Sequence, residues 1–252
     1  MAFRYQHRIG VAAHRGDSYN YYENTWSAFR AALEGGADMI ETDVHMTKDL
    51  ALVLIHDDKV DRTSNGCGLV RDMTLAELEA LNFGDSDAPE RIPLLEDFMA
   101  WASKTDLTVN IEIKEYSTNQ NMERCSLCIE KVIEIVERYG MADRILINSF
   151  DAYVLEYCYK KWGKRYPLHG FFPYSLLNME NAALDPTEYL FCACIFDTKN
   201  KAIYDDLLSR GIEPWIGASV TQPSHLHLAA QYGARLITTN FPADIIKKLE
   251  VM

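Results

Sequence analysis

The stretch ETDVHMTKDLALVLIHDD, residues 41–58, holds two strand-like runs that are joined by only a few polar residues, TKD. A crossover between parallel strands needs a dozen residues or more, so this connection is too short to carry a helix. We therefore expect residues 44–56 to form an antiparallel hairpin that leaves the end of one strand and returns beside it. The return would bring His56 back to the level of Glu41 and Asp43.

Outside this stretch, short apolar or β-branched runs alternate with amphipathic runs along the whole chain, which is typical of parallel βα units. The predicted strands lie at residues 9–14, 38–43, 108–114, 144–149, 166–171, 190–196, 213–219 and 235–239. The predicted helices lie near residues 24–34, 94–103, 121–139, 151–162, 174–183, 200–209, 223–232 and 243–250. Eight units in 252 residues predict an α/β fold, a (β/α)₈ TIM barrel, whose active sites lie at the C-terminal ends of the strands. The alternative is an open doubly wound sheet, but no glycine-rich phosphate loop of the GxGxxG or GxxxxGK type is present.

The hairpin leads into a loop-rich segment, 57–93, before the next predicted helix. We interpret the hairpin and this segment together, about residues 44–93, as a small insertion on the C-terminal rim of the barrel. We therefore expect the chain, residues 1–252, to form a single barrel domain that includes the insertion at 57–93. Apolar residues make up 48% of the sequence, which suffices for a sizeable core.

Charge and hydropathy limit the partners and the compartment. The formal charge of −12, from 25 basic and 37 acidic residues, argues against a nucleic-acid binder, since phosphate backbones demand a basic surface. No apolar segment follows the N-terminal MAFRYQHR, and no apolar run approaches the ~18 residues of a membrane span. We therefore expect a cytoplasmic protein without a signal segment and without stable membrane insertion.

The six cysteines are too few for a disulfide framework in a chain of this length, and we expect free thiols. Cys125 and Cys128 form a CxxC pair within the helical pattern NMERCSLCIEKVIEIVERYG, and the sequence has no second CxxC. This context favours helix packing over a zinc site.

Polar side chains occur at the ends of the first predicted strands. They are His14 and Arg15 on the first strand, Glu41 and Asp43 on the second, Glu112 and Lys114 on the third, and His56 where the hairpin returns. Side chains two residues apart in a strand face the same side, so the two carboxylates of the second strand share a face. We expect all of these groups to meet at one mouth of the barrel.

Three carboxylates, from Glu41, Asp43 and Glu112, would then converge in a partly dry place. Such packing costs on the order of several kcal/mol unless the groups protonate or bind a cation. Ligation by oxygen alone favours a hard divalent ion, Mg²⁺ or Ca²⁺, over zinc. The alternative is a structural charge cluster, in which the carboxylates pair with Arg15 and Lys114.

The histidines allow two interpretations as well. His14 and His56 could each be a core histidine with satisfied hydrogen bonds. Two histidines at the mouth that also holds three carboxylates and an Arg–Lys pair instead indicate an acid–base couple around an anionic substrate. His45 is a weaker candidate ligand on the face of Asp43, and His169 could reach the mouth. Aromatic residues near later strand ends are candidates for a pocket wall: Trp215, Phe171, Phe172 and Tyr174.

The motifs AHRG, ENT, ETDVHMTKDLALVLIHDD, RTSNGCG, TLAELEALNFG, IPLLED and NIEIK follow one another between residues 9 and 115. Over this range the chain resembles the glycerophosphodiester phosphodiesterase family nearly end to end. The resemblance implies a barrel that hydrolyses small-molecule glycerophosphodiesters to glycerol 3-phosphate and an alcohol with a divalent metal. It also implies residue roles: Glu41, Asp43 and Glu112 match the metal ligands, His14 and His56 the catalytic histidines, and Arg15 and Lys114 the phosphate-binding pair.

The resemblance weakens after about residue 150, where only SFD (149–151) and ITTNFPADI (237–245) are similar to the family. Three positions depart from the family pattern: Tyr22 replaces a proline, ASVT (218–221) replaces a WTVN-like strand, and Asn240 replaces an aspartate. These departures concern the leaving alcohol more than the core chemistry.

Two other functions fit part of the pattern. A related barrel phosphodiesterase would act on lysophospholipids or phosphoinositides, but a lipid substrate favours an apolar rim, and the insertion's tip, TSNGCGLVRDMT, is mostly polar. A non-catalytic phospholigand-binding barrel would have lost its acid–base pair, whereas both histidines and all three carboxylates are present. We therefore expect a water-soluble diester as the substrate.

Overall fold

The computed structural model describes residues 3, 5, 9–118, 120–218 and 223–250 of the chain. Its strands are β1 (Gly10–His14), β2 (Met39–Met46), β3 (Leu52–Leu54), β4 (Thr108–Ile113), β5 (Ile145–Asn148), β6 (Leu168–Phe171), β7 (Cys192–Ile195), β8 (Glu213–Ile216) and β9 (Leu236–Thr239). Its α-helices are α1 (Trp26–Glu34), α2 (Leu75–Glu79), α3 (Leu95–Ala102), α4 (Met122–Arg138), α5 (Ala152–Trp162), α6 (Lys201–Ser209), α7 (Pro223–Tyr232) and α8 (Pro242–Glu250).

Eight of these strands form a closed parallel barrel. The strand order is β1-β9-β8-β7-β6-β5-β4-β2, and β2 also pairs with β1, which closes the sheet. Helices connect most of the successive barrel strands and cover the outside. The prediction of a TIM barrel is therefore confirmed. Both faces of the parallel strands are covered, which explains why the strands appear in the sequence as near-continuous apolar runs.

The hairpin prediction is also confirmed. Strand β3 pairs antiparallel with the end of β2, with Val44 opposite Leu54 and Met46 opposite Leu52. The Ile55 N–H donates to the Asp43 carbonyl at 3.1 Å, so the pairing extends back to the barrel strand. Chain length alone dictated this geometry, since the short link between the two runs leaves no room for a crossover.

The segment after the hairpin builds a small core of its own against the hairpin's outer face. Seven buried side chains form this cluster: Val53, Ile55, Val60, Val70, Leu78, Phe83 and Ile92. Next to this cluster, Thr74 caps the N-terminus of α2 and forms a reciprocal capping box with Glu77. The hairpin is thereby held from both sides, which fixes the position of the residues that follow it.

The cysteine predictions are confirmed for packing and oxidation state. All six cysteines are free thiols. Cys125 and Cys128 are fully buried on the inner face of α4 and belong to the main apolar core. Burial raises the pKa of both thiols, as expected for unreactive cysteines in an apolar setting.

One predicted helix, at residues 174–183, is wrong. The structure has 3₁₀ turns at Met179–Asn181 and Pro186–Glu188 instead of an α-helix. Tyr174 and Asn178 adopt positive φ angles of 71° and 53°, which a right-handed helix excludes. The segment is also bonded to neighbouring parts of the chain, since the Asn178 amide donates to Asp151 and the Leu177 N–H donates to the Phe150 carbonyl.

An apolar layer closes the lower part of the barrel interior. It consists of buried side chains from six strands: Ala12, Met39, Leu146, Cys192, Trp215 and Leu236. Polar side chains lie further along the same strands toward their C-terminal ends, where the cavity described below opens. None of the described helices has the length and apolar character that a membrane crossing requires. Residue 219, the predicted end of the seventh predicted strand, and most of ASVT lie outside the described residues.

Candidate active site

A cavity of about 300 Å³ opens at the C-terminal ends of the barrel strands. Six of the seven residues singled out in the sequence line it: His14, Arg15, Glu41, His56, Glu112 and Lys114. The seventh, Asp43, is fully buried and is in contact with Arg15 and Lys114. The loop and strand ends of β1, β2, β4 and the hairpin therefore bring together what the sequence separates by up to 100 positions.

The three carboxylates converge as their spacing predicts. Oxygen atoms of Glu41, Asp43 and Glu112 lie within 4.8 Å of one another, and all three residues are buried. Asp43 is in register with Glu112 across the parallel pairing of β2 and β4, and both side chains point into the barrel. The set has the size and the oxygen donors that a hard divalent cation requires.

Two cations balance part of this negative charge. Lys114 Nζ lies 3.2 Å from Asp43 Oδ1 and bonds Glu112, while Arg15 Nε lies 3.2 Å from Asp43 Oδ2. Glu41 accepts the Arg15 backbone N–H, but its Oε1 has no hydrogen-bond partner among the described residues. Two cations thus face three carboxylates. If the group were only a structural charge cluster, the negative charge of one carboxylate would have no compensating positive charge.

The pKa shifts of the three carboxylates come from their burial and from the charges that surround them. Burial, together with Asp43 and Glu112, raises the pKa of Glu41 well above its usual value. Burial and the Asp43 charge raise the pKa of Glu112 to about 7. Burial would also raise the pKa of Asp43, but Lys114 and Arg15 outweigh it and hold that pKa below its usual value. An added divalent cation would remove the repulsion behind the raised pKa values, so the residues fit such an ion.

The loop after β1 places Arg15 over this cluster. Arg15 and Gly16 have φ angles of 58° and 81°, so the chain turns sharply as it leaves the strand. A Cβ atom on Gly16 would lie 2.6 Å from the Ala28 carbonyl carbon, so only glycine fits there. Asn24 donates to Asp43 Oδ2 at 2.9 Å, which ties the loop to the carboxylates. The HRG and ENT motifs are therefore parts of one loop that holds Arg15 beside the carboxylates.

His14 ends β1 and is held by a residue from the opposite end of the chain. Its Nδ1 lies 2.6 Å from Asn240 Oδ1, an acceptor, so Nδ1 carries the proton and Nε2 is the basic nitrogen. Burial, reinforced by the Arg15 charge, lowers the pKa of His14 to about 4. His14 is therefore a neutral imidazole near pH 7.

His56 is oriented by its neighbour in the chain. Its Nδ1 donates to Asp57 Oδ1 at 2.6 Å, and Arg62 binds Asp57 through two nitrogens at 2.7 and 3.0 Å. Hydrogen bonds from Arg62 are the main reason that the pKa of Asp57 is held well below its usual value. His45 Nε2 donates to the His56 carbonyl at 3.2 Å. Among the described residues, the group that could hold a metal ion consists of Glu41, Asp43 and Glu112 and does not include His45. His45 thus lies behind His56 rather than at the cation site.

An aromatic wall, defined here as Phe150, Phe171 and Phe196, lines the other side of the cavity. The rings of Phe150 and Phe171 stack at 3.6 Å, and Phe196 is parallel to Phe171 with 56% of its surface exposed. We define the charged wall as six of the residues that line the cavity: His14, Arg15, Glu41, His56, Glu112 and Lys114. The two walls come from different strands, β1, β2 and β4 against the ends of β5, β6 and β7.

The predicted aromatic candidates are correct for Phe171 only. Trp215 is fully buried in the apolar layer below, and its Nε1 donates to Glu213 at 3.2 Å. Phe172 and Tyr174 pack against each other, and the Tyr174 hydroxyl donates to Asp206. Phe172 and Tyr174 lie beyond the end of β6 and Trp215 lies within β8, so nearness to a strand end did not predict which aromatic side chain reaches the cavity.

Sequence reasoning assigned no supporting role to Asp57, Glu23 or Asn240 in orienting the site. Asp57 follows His56 directly in HDD, which was the available signal. Glu23 accepts hydrogen bonds from both Arg15 and Arg62, and so links the two loops that carry the site. Asn240 is 226 residues from its partner His14, so only the pairing of β1 with β9 brings them together.

The family comparison agrees with the motifs. Residues 14–186 match the sequence model of the glycerophosphoryl diester phosphodiesterase family. A glycerophosphodiester phosphodiesterase of Caldanaerobacter subterraneus subsp. tengcongensis is 46% identical over 150 residues, which are 58% of this chain and 59% of that protein. One from Bacillus subtilis is 27% identical over 259 residues, covering 96% of this chain and 87% of the relative. The match thus spans about three fifths of the length of the first of these relatives.

Solved structures show the same fold. A glycerophosphodiester phosphodiesterase structure from Agrobacterium tumefaciens superposes with a TM-score of 0.76 at 22% identity, covering 95% of this chain and 99% of that one. An Oleispira antarctica phosphodiesterase, determined in complex with its product sn-glycerol-3-phosphate, has a TM-score of 0.81 at 23% identity and 96% coverage of both chains. Since the family match extends over more than half of the chain, from His14 in β1 to the segment before β7, the chain belongs to the glycerophosphoryl diester phosphodiesterase family.

Proposed function

We propose that the protein hydrolyses glycerophosphodiesters to glycerol 3-phosphate and an alcohol with the help of a divalent metal ion. The observation that carries this proposal is the single cavity in which three buried carboxylates, two cations and two oriented histidines meet. The substrate class is supported by relatives named glycerophosphodiester phosphodiesterase and by the structural neighbour bound to sn-glycerol-3-phosphate.

Glu41, Asp43 and Glu112 would hold the metal ion, Mg²⁺ or Ca²⁺. Their fit is supported by the oxygen donors within 4.8 Å, by the unpartnered Oε1 of Glu41 among the described residues, and by the uncompensated carboxylate. When bound, such an ion supplies positive charge that stabilises the negative charge developing on the phosphoryl group.

Arg15 and Lys114 would bind the phosphate oxygens. Burial alone would lower the pKa of Lys114, but Asp43 and Glu112 outweigh it and raise that pKa, so the ammonium group stays charged. For Arg15, burial is likewise outweighed by Asp43 and the other acidic groups, which raise its pKa. Both side chains line the cavity, so each can meet an anionic substrate without leaving its carboxylate partner.

His14 and His56 would transfer the protons. As a new P–O bond forms to the attacking oxygen, one histidine takes that oxygen's proton through Nε2. As the P–O bond to the alcohol breaks, the other histidine gives a proton to the departing oxygen. Hydrogen bonds from Nδ1 to Asn240 and to Asp57 hold the two rings for this role. General acid and general base catalysis each contribute about 10²–10⁴-fold.

The direct test is turnover of glycerophosphocholine by the full chain with added Mg²⁺ or Ca²⁺, with glycerol 3-phosphate and choline as the expected products. Hydrolysis of lysophosphatidylcholine or of a phosphoinositide in place of glycerophosphocholine would contradict the proposed substrate and favour a lipid-directed phosphodiesterase. Binding of glycerol 3-phosphate without turnover of any diester would contradict catalysis and favour a phospholigand-binding barrel.

A further inference from the structure

Three polar side chains at the base of the cavity have no part in the proposed chemistry. Asn110, Asn148 and His169, which we call the floor subsite, lie on the neighbouring strands β4, β5 and β6 and line the cavity. All three residues are at least 97% buried. Asn110 precedes Glu112 by two residues on β4, and the His169 ring lies 5.0 Å from Trp215 in the apolar layer below. The floor subsite therefore separates the carboxylates from the apolar layer.

The hydrogen bonds within the floor subsite determine which atoms remain available. The Asn110 amide nitrogen, which can only donate, lies 3.1 Å from His169 Nδ1, so Nδ1 accepts and the ring proton is on Nε2. Burial lowers the pKa of His169 to about 3, which keeps the ring neutral. Three atoms have no hydrogen-bond partner in the described part of the chain: His169 Nε2, Asn110 Oδ1 and Asn148 Oδ1.

Buried polar atoms in native proteins are nearly always hydrogen-bonded, to protein or to whatever occupies the adjoining space. Since the three residues line the cavity, its contents can supply the partners of these atoms. They comprise one N–H donor and two carbonyl acceptors. A phosphate oxygen would be repelled by the two carbonyls, and a quaternary ammonium group can donate no hydrogen bond. A hydroxyl both donates and accepts, so a hydroxyl-bearing group matches the set.

Building on the proposed function, we infer that the floor subsite binds the hydroxyl groups of the substrate's glycerol moiety. The glycerol end then enters the barrel first, below the phosphate site on the charged wall. The alcohol that leaves lies toward the mouth, beside Phe171 and the exposed Phe196. Asn110, Asn148 and His169 would thus determine specificity for a hydroxylated group at one end of the diester.

Two phosphate monoesters that differ only in their hydroxyl groups provide the test. Calorimetric titration of the protein, loaded with Mg²⁺ or Ca²⁺, would compare sn-glycerol 3-phosphate with propyl phosphate. We expect the wild-type protein to bind glycerol 3-phosphate about 10- to 100-fold more tightly, because two hydroxyls meet buried partners. Binding at equilibrium is independent of the chemical step, so the result does not depend on which oxygen attacks phosphorus.

The variants His169→Phe and Asn148→Leu remove the donor and one acceptor while keeping similar volume. Each should reduce the preference for glycerol 3-phosphate to about 3-fold or less by weakening that ligand alone. Cys194→Ala is the matched control, since Cys194 lines the same cavity without an unpartnered polar atom there, and it should keep the wild-type preference. Thermal unfolding checks that each variant is folded, and His169→Leu, which also removes the donor, replaces any variant that is not.

Three results would overturn the inference. Equal affinity of the wild-type protein for both monoesters would mean that only water occupies the floor. Equal weakening of both ligands in the folded variants would mean a purely structural role, and an unchanged preference would place the hydroxyls elsewhere. Failure of the proposed function has a different signature, namely no diester turnover by the wild-type protein. Turnover of glycerophosphocholine combined with equal affinities contradicts the floor subsite alone.

Discussion

The two walls of the cavity are built in different ways. Each member of the charged wall is held by named partners: His14 by Asn240, His56 by Asp57, Lys114 by Asp43 and Glu112. The aromatic wall is held mainly by ring stacking and apolar packing, and its outermost ring, Phe196, is more than half exposed. Fixed polar groups suit reacting atoms, which need defined geometry, whereas stacked rings accommodate groups of varied shape.

This difference leads to a simple expectation. Changes on the charged wall should lower kcat by orders of magnitude, because they remove charge or proton transfer at the reacting phosphate. Changes on the aromatic wall should alter KM for particular alcohols and leave kcat nearly intact. The following predictions test that division, beginning with the largest expected effect.

Removal of divalent ions should abolish turnover. A chelator such as EDTA would leave the three carboxylates of Glu41, Asp43 and Glu112 without their counter-charge, and glycerophosphocholine hydrolysis should stop. Added Mg²⁺ or Ca²⁺ should restore the rate better than an ion that prefers sulfur ligands, since all the donors are oxygens. Circular dichroism checks that the chelated protein stays folded. Full activity in the chelator would refute the metal site.

His14→Ala and His56→Ala should each lower kcat for glycerophosphocholine by about two to four orders of magnitude, because each removes one proton-transfer group. His227→Ala is the control, since this exposed histidine on α7 bonds only Gln231 in the described structure and should leave the rate unchanged. A near-normal rate in either of the first two variants would exclude that histidine from the mechanism.

Asn240→Leu should lower kcat by about 10- to 100-fold with little change in KM. The substitution leaves His14 in place but removes the acceptor that holds its Nδ1 proton and ring orientation. Asn240→Asp keeps an acceptor at the same place and should retain much more activity than the leucine variant. Equal losses in both variants would show that Asn240 acts through the loop and not through the histidine.

Phe196→Ala should have the smallest effect, a rise in KM of about 2- to 10-fold for diesters with a bulky or apolar alcohol, at nearly constant kcat. Leu208→Ala, a comparably exposed apolar residue on α6, is the control for loss of surface area away from the cavity. A large fall in kcat for Phe196→Ala would contradict the division between the two walls, because the exposed ring would then contribute to the chemical step.

Much of the charged wall could be predicted from the sequence because its geometry follows from local rules. A period of two places Glu41 and Asp43 on one face, and the same period places Glu112 and Lys114 on another. Parallel strands of one barrel end at one rim, which brings these faces together. The aromatic wall follows no such rule, since Phe150 and Phe196 lie just beyond their strands, where the direction of a side chain depends on the loop.

By itself, the sequence determined the alternation of strands and helices, the hairpin after the second strand and the meeting of three carboxylates. The first two follow from side-chain period and from chain length, and the third follows from side-chain period together with the rule that the parallel strands of one barrel end at one rim. Only the tertiary structure decided that Asn240 orients His14, that residues 174–183 form no α-helix, and that Asn110, Asn148 and His169 share one floor. These features depend on closure of the barrel, which joins β1 to β9 and packs each loop against its neighbours. No local pattern encodes them, because the contacts that decide them are made between distant segments.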